Sequence, residues 1–133
     1  MTRAPGAPLS VLAATGDLAF RSRIDLALAR AGIPVRFVAA GRLVSEVAAS
    51  RPSLILVDYA GLGEADWSEL SRLKRDPASR DLPLLAYGPH LDHEARERAR
   101  GAGADALLSN GEVAANLAAI VMEWAARAPG SAS

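Results

Sequence analysis

The chain has 133 residues, half of them hydrophobic, and its fifteen basic side chains balance fifteen acidic ones. Zero net charge argues against a nucleic-acid face or electrostatic capture by an anionic membrane, and without cysteine there is no disulfide framework, thiol nucleophile or thiolate metal site. No apolar run approaches the ~20 residues of a membrane-spanning helix, and residues 1–8 (MTRAPGAP) lack the apolar core of a signal peptide, so the expected location is cytoplasmic.

Residues 1–8 and 129–133 (PGSAS) have tail composition, which leaves residues 9–128 as one expected domain. Aromatics make up only 5% of the chain, so Leu, Val, Ile and closely packed Ala must build its core. Residues 9–14 (LSVLAA) are the first strand candidate. Over 17–31, Phe20, Ile24, Ala27, Leu28 and Ala31 recur at three- and four-residue steps, and Gly32 supplies the helix stop. Residues 35–39 (VRFVA) are more mixed and read as an edge strand. Residues 42–50 form a short helix with Leu43 and Val47 on one face. Next comes 54–57 (LILV), a short apolar strand followed at once by Asp58. The helix over 66–75 sets Trp67, Leu70 and Lys74 on one side and ends at Asp76-Pro77. Residues 84–87 (LLAY) are a fourth strand, and 92–101 a charged helix with Asp92 as its N-cap. Residues 106–108 (ALL) are a fifth strand. The last helix, 112–128, carries an apolar stripe of Val113, Leu117, Ile120, Val121 and Trp124.

Strand and helix alternating five times imply a parallel sheet covered by helices on both faces. The expected architecture is a flavodoxin-like, doubly wound α/β fold with five helices and five strands in the order 2-1-3-4-5. In such sheets ligands bind beyond the carboxyl ends of the strands. That rim comprises residues 14–17, 58–63, 88–91 and 109–111, and Asp58 projects into it from the end of an apolar strand.

Residues 51–58 (RPSLILVD) resemble the third strand of a response-regulator receiver domain, which the phosphoacceptor aspartate closes. Residues 70–83 (LSRLKRDPASRDLP) resemble the receiver helix and loop that follow, and 101–108 (GAGADALL) the glycine-rich entry to the fifth strand. The resemblance puts Asp58 at the phosphoacceptor position. It puts Ala14 and Thr15 where a receiver has the acids that hold Mg²⁺, with Gly16 next and Asp17 opening the helix. Gly88 takes the place of the Thr or Ser after the fourth strand, Asn110 that of the Lys after the fifth, and Gly111 that of the following Pro.

These departures act together. Mg²⁺ takes octahedral oxygen ligation, usually with carboxylates among the ligands, and Asp58 offers one carboxylate beside Ala14 and Thr15. A phosphoryl group adds roughly −1.5 to −2 of charge, which Asn110 cannot pair with; Gly88 has no hydroxyl to meet it. Phosphoryl transfer depends on positioning and charge neutralisation, so the chain is identified as a degenerate, pseudo-receiver member of the family, without catalysis, metal or cofactor. Asp58 is then a structural acceptor capping the next turn, or a remnant ligand.

His90, Asp92 and His93 suggest a metal site, but match no standard spacing and flank a helix start; a hydrogen bond from His90 to Asp58 is the alternative role. Gly61, Gly63, Gly101 and Gly103 have neither Walker nor dinucleotide spacing, and no serine lies in a nucleophile elbow. Ala114, Ala118, Met122 and Ala125 form a second small apolar face on the last helix, suited to close helix contact or simply reflecting helix propensity. Trp67 is a core residue or an exposed anchor near the rim. The expected function is therefore a non-catalytic signalling or protein-interaction domain of a two-component-type system, with a protein partner or a second copy of itself. A phosphoacceptor receiver using Asp58 and a small-molecule-binding domain using the emptied rim are the alternatives.

Overall fold

A computed structural model describes residues 9–127; both expected tails and Ala128 lie outside the described residues. The elements in chain order are β1 (Val11–Ala14), α1 (Leu18–Arg30), β2 (Val35–Phe37), a 3-10 turn (Ala40–Arg42) leading into α2 (Leu43–Ser50), β3 (Leu54–Asp58), α3 (Glu64–Arg75), β4 (Leu84–Gly88), α4 (His93–Gly101), β5 (Ala106–Ser109) and α5 (Asn110–Arg127). All strand pairs are parallel and the sheet order is β2-β1-β3-β4-β5, the order expected from the sequence.

The alternation of side chains along each strand divides the core in two. Val11, Ala13, Leu54, Leu56, Leu85 and Tyr87 turn toward α1 and α5, where they meet Ile24, Leu28, Val113, Leu117 and Val121. Leu12, Ala14, Ile55, Val57, Leu84 and Ala86 turn the other way, onto Leu43 and Val47 of α2, Trp67, Leu70 and Leu73 of α3, and Ala99 of α4. Strands β3 and β4 are buried over their whole length, which is why they read as unbroken apolar runs. Strand β2 is the half-exposed edge.

Element ends follow their caps. Asp17 accepts from the Ala19 and Phe20 N–H groups and opens α1; Asp92 accepts from Ala95 N–H and opens α4. The last helix starts earlier than its apolar stripe suggests. Ser109 Oγ accepts from Glu112 N–H while Glu112 Oε1 accepts from Ser109 N–H, a reciprocal cap that draws Asn110 into the helix. Helix α3 likewise starts at Glu64 rather than Asp66, because Asp66 Oδ2 reaches back to Gly63 N–H.

One expectation about an exposed face is corrected. Ala125 is 1% exposed, because the buried stripe of α5 advances by four residues through Val113, Leu117, Val121 and Ala125. Ala118 is also packed against the α1/α5 core, so of the second small face only Ala114 and Met122 stand exposed. Of the two places considered for Trp67, the structure takes the core: the ring is buried against the sheet, and the Arg98 guanidinium lies over it at 5.0 Å.

Candidate functional site

The strand register brings the carboxyl ends of β1, β3 and β4 together. Ala14 pairs with Val57 and Asp58 with Tyr87, so Thr15 comes level with Asp58 one step beyond β1. Alternation then sends Asp58, Thr15 and Tyr87 to the α1/α5 side of the sheet, and Tyr59, Ala14 and Gly88 to the other. Ala14, expected on the rim, is buried in the α2–α4 core, facing away from Asp58.

Asp58 is almost fully buried, and both its oxygens are engaged. The Thr15 hydroxyl donates to Oδ2 at 3.2 Å and the Ala60 N–H to Oδ1 at 2.9 Å. Thr15 Oγ1 in turn accepts from Asp17 N–H at 3.2 Å. Burial pushes the Asp58 carboxyl above its ordinary value of 3.8; the Ala60 and Thr15 hydrogen bonds oppose that shift and the charge of Asp17 adds to it. No ion pair among the described residues includes Asp58 or Asp17.

Gly88 ends β4 under the ring of Tyr59. A Cβ at this position would stand 2.5 Å from that ring, so only glycine fits. Tyr59 is itself fixed, 1% exposed and donating its hydroxyl to the Pro89 carbonyl at 2.6 Å. The volume that a Ser or Thr side chain would take is filled by an aromatic ring bolted to the β4–α4 loop.

On the opposite face Tyr87 is completely buried against Phe20, ring centroids 5.5 Å apart. Its hydroxyl lies beside Thr15 without a hydrogen bond of normal geometry and has no partner among the described residues. Burial, foremost, raises its pKa above the usual tyrosine range; Thr15 opposes the shift, and the charges of Asp58 and Asp17 add to it. Sequence reasoning missed both tyrosines. The available signal was strand alternation, since Tyr59 follows Asp58 and Tyr87 precedes Gly88, which places the two rings on opposite faces of the same rim.

The remaining rim residues contribute less. His90 is exposed, and the hydrogen bond to Asp58 considered from the sequence is not made among the described residues, where Thr15 and Ala60 are the donors to the carboxylate. His93 is the exposed first residue of α4, and no group of three or more His, Cys, Asp or Glu side chains placed to hold a metal occurs among the described residues. Asn110 is half-buried at the start of α5.

No family model matches the sequence, and no curated protein matches it. Solved structures do. The chain aligns with a candidate response regulator from Chloroflexus aurantiacus at 23% identity and a TM-score of 0.78, covering 91% of this chain and all of that one. The receiver domain of a sensor histidine kinase from Pseudomonas aeruginosa, solved with magnesium coordinated in its active-site cleft, aligns at 23% identity and a TM-score of 0.76, over 90% of this chain and 98% of that one. The chemotaxis protein CheY4 of Vibrio cholerae aligns at 20% identity and 0.72, over 89% and 99%. The fold is that of a receiver domain.

The receiver fold of the Pseudomonas domain holds magnesium, and this chain's residues do not fit that ion. Among the described residues Asp58 is the carboxylate that closes β3 at the site, Thr15 beside it is neutral, and the Asp17 carboxylate is turned to the first turn of α1 as its cap.

Proposed function

We propose that this chain is a receiver-like signalling module of a two-component-type system, acting through protein contacts with no aspartyl-phosphate cycle and no catalytic step of its own. The observation that carries this reading is the Tyr59 ring over Gly88, which fills the space of a switch hydroxyl and ties down the β4–α4 loop through Pro89. The surroundings of Asp58 support it. The carboxylate is bound to a neutral hydroxyl and a backbone N–H, with Asn110 where the resemblance calls for lysine, so no ion pair among the described residues is in place to offset the charge a phosphoryl group would add.

The surface assigned to partner contact is the exposed part of α5 around Ala114 and Met122, the latter 47% exposed. A signalling protein or a second copy of the chain docks there. The deciding experiment exposes the protein to beryllofluoride or acetyl phosphate with Mg²⁺ and follows backbone amide shifts. No saturable change around Asp58 is expected. Shifts centred there and abolished in Asp58→Asn would overturn the reading in favour of a working phosphoacceptor.

A further inference from the structure

Helix α1 is apolar on both sides. Its inner side buries Ile24 and Leu28 against the sheet, yet on its outer side Leu26 is 52% exposed and Leu18 is 77% exposed. The outward residues Ala19, Ser22, Leu26 and Ala29 follow one another at steps of three, four and three. That is the spacing of the seam positions a and d in a two-helix coiled coil. All but Leu26 are small, so a second helix can come close. The flanks of the seam carry a pattern of their own. In the same register Leu18 and Asp25 fall at position g, and Arg23 and Arg30 at position e. Asp25, Arg23 and Arg30 are exposed, and no ion pair among the described residues includes them. The neighbouring α5 continues this outward surface with Met122.

We infer that α1 is a self-association face, on which the α1 of a second copy lies parallel about a twofold axis running along the two helices. In a parallel pair each g residue faces the e residue of the next heptad on the other helix. Asp25 of each copy then meets Arg30 of the other, and Leu18 lies along the aliphatic stem of Arg23. The twofold axis makes each contact twice. This charge pattern selects the occupant. An antiparallel copy would bring Asp25 toward Asp25 and Arg30 toward Arg23. A partner helix with flanks of one sign would pair with Arg30 and repel Asp25, or the reverse. The inference rests on the reading of the outward helix surface around Met122 as a contact face, and it commits that face to a second copy of the chain.

The test is analytical ultracentrifugation of the full chain at low salt, over a concentration series reaching about 1 mM. A reversible monomer–dimer equilibrium is expected. Asp25→Arg puts a positive charge opposite Arg30, and Arg30→Asp puts a negative charge opposite Asp25. Each alone is expected to weaken the dimer by about tenfold or more. Both side chains are exposed, so neither change touches the core. An equimolar mixture of the two variants pairs opposite charges at both contacts and is expected to dimerise as the parent chain does, which a merely structural effect of either change would not produce. A chain that stays monomeric up to about 1 mM, a dimer indifferent to both charge changes, or a mixture no stronger than its components overturns the seam. Self-association lost in Met122→Glu but unchanged in both charge variants overturns it too, and leaves the α5 surface standing. The beryllofluoride experiment on the same sample separates failure of this seam from failure of the signalling reading.

Discussion

At Asp58 the balance between burial and hydrogen bonding has a measurable consequence. The folded carboxyl holds its proton above the ordinary value of 3.8, with burial as the largest cause. Below 3.8 the folded and unfolded chains are both protonated and this group adds no pH dependence. Between 3.8 and the raised folded value the native state binds more protons, so stability falls as pH rises through that window and levels off above it. Asp58→Asn abolishes the titration. Its stability relative to the parent chain is therefore expected to improve with rising pH across the window, as read from urea midpoints at a series of pH values. A flat difference would show that Thr15 and Ala60 fully offset the desolvation. Gly88 poses the opposite problem, one of space. Gly88→Ser pushes a side chain into the Tyr59 ring and is expected to cost about 1–3 kcal/mol of unfolding free energy, so restoring the hydroxyl by one substitution damages the fold instead of reviving a switch.

Between elements, caps come from unexpected places. Helix α2 has no side-chain cap of its own; Glu69, buried on α3, accepts from Val44 N–H at 2.8 Å and serves instead. Glu69→Ala leaves that donor unmet and is expected to cost about 1–3 kcal/mol, with faster amide exchange at Val44 marking the cause. The GAGAD segment that carried the resemblance also has a structural reason. Asp105 Oδ2 accepts from Lys74 Nζ at 2.9 Å and from Leu84 N–H at 2.8 Å, joining α3 to the start of β4. Gly103 makes the turn at φ +104 with the Lys74 side chain 2.6 Å from where a Cβ would lie, whereas Gly101 ends α4 with open space around it. Gly103→Ala should therefore destabilise by about 1–2 kcal/mol or more, while Gly101→Ala should be neutral or stabilising by up to about 1 kcal/mol. Equal effects in thermal unfolding would refute this division of labour between the two glycines.

For the whole molecule, the assigned contact surface predicts that Met122→Glu leaves unfolding unchanged and removes any self-association seen by light scattering, since the side chain is exposed on α5. The order of elements, the two-sided burial of β3 and β4 and the caps at Asp17 and Asp92 were all legible in the sequence. Each is written locally, in apolar period, breaker residues and cap chemistry within a few positions. The corner around Asp58 was legible only in part. Asp58 is visible as the residue closing an apolar strand and the resemblance set Thr15 beside it, but the hydrogen bond that joins them spans 43 positions of chain. The Tyr59 ring over Gly88, the stranded Tyr87 hydroxyl, the Glu69 cap on α2 and the burial of Ala125 likewise depend on which distant surfaces pack together. Periodicity sets which way a side chain points along its own element. What it meets there follows from strand register and helix docking, and that only the tertiary structure decides.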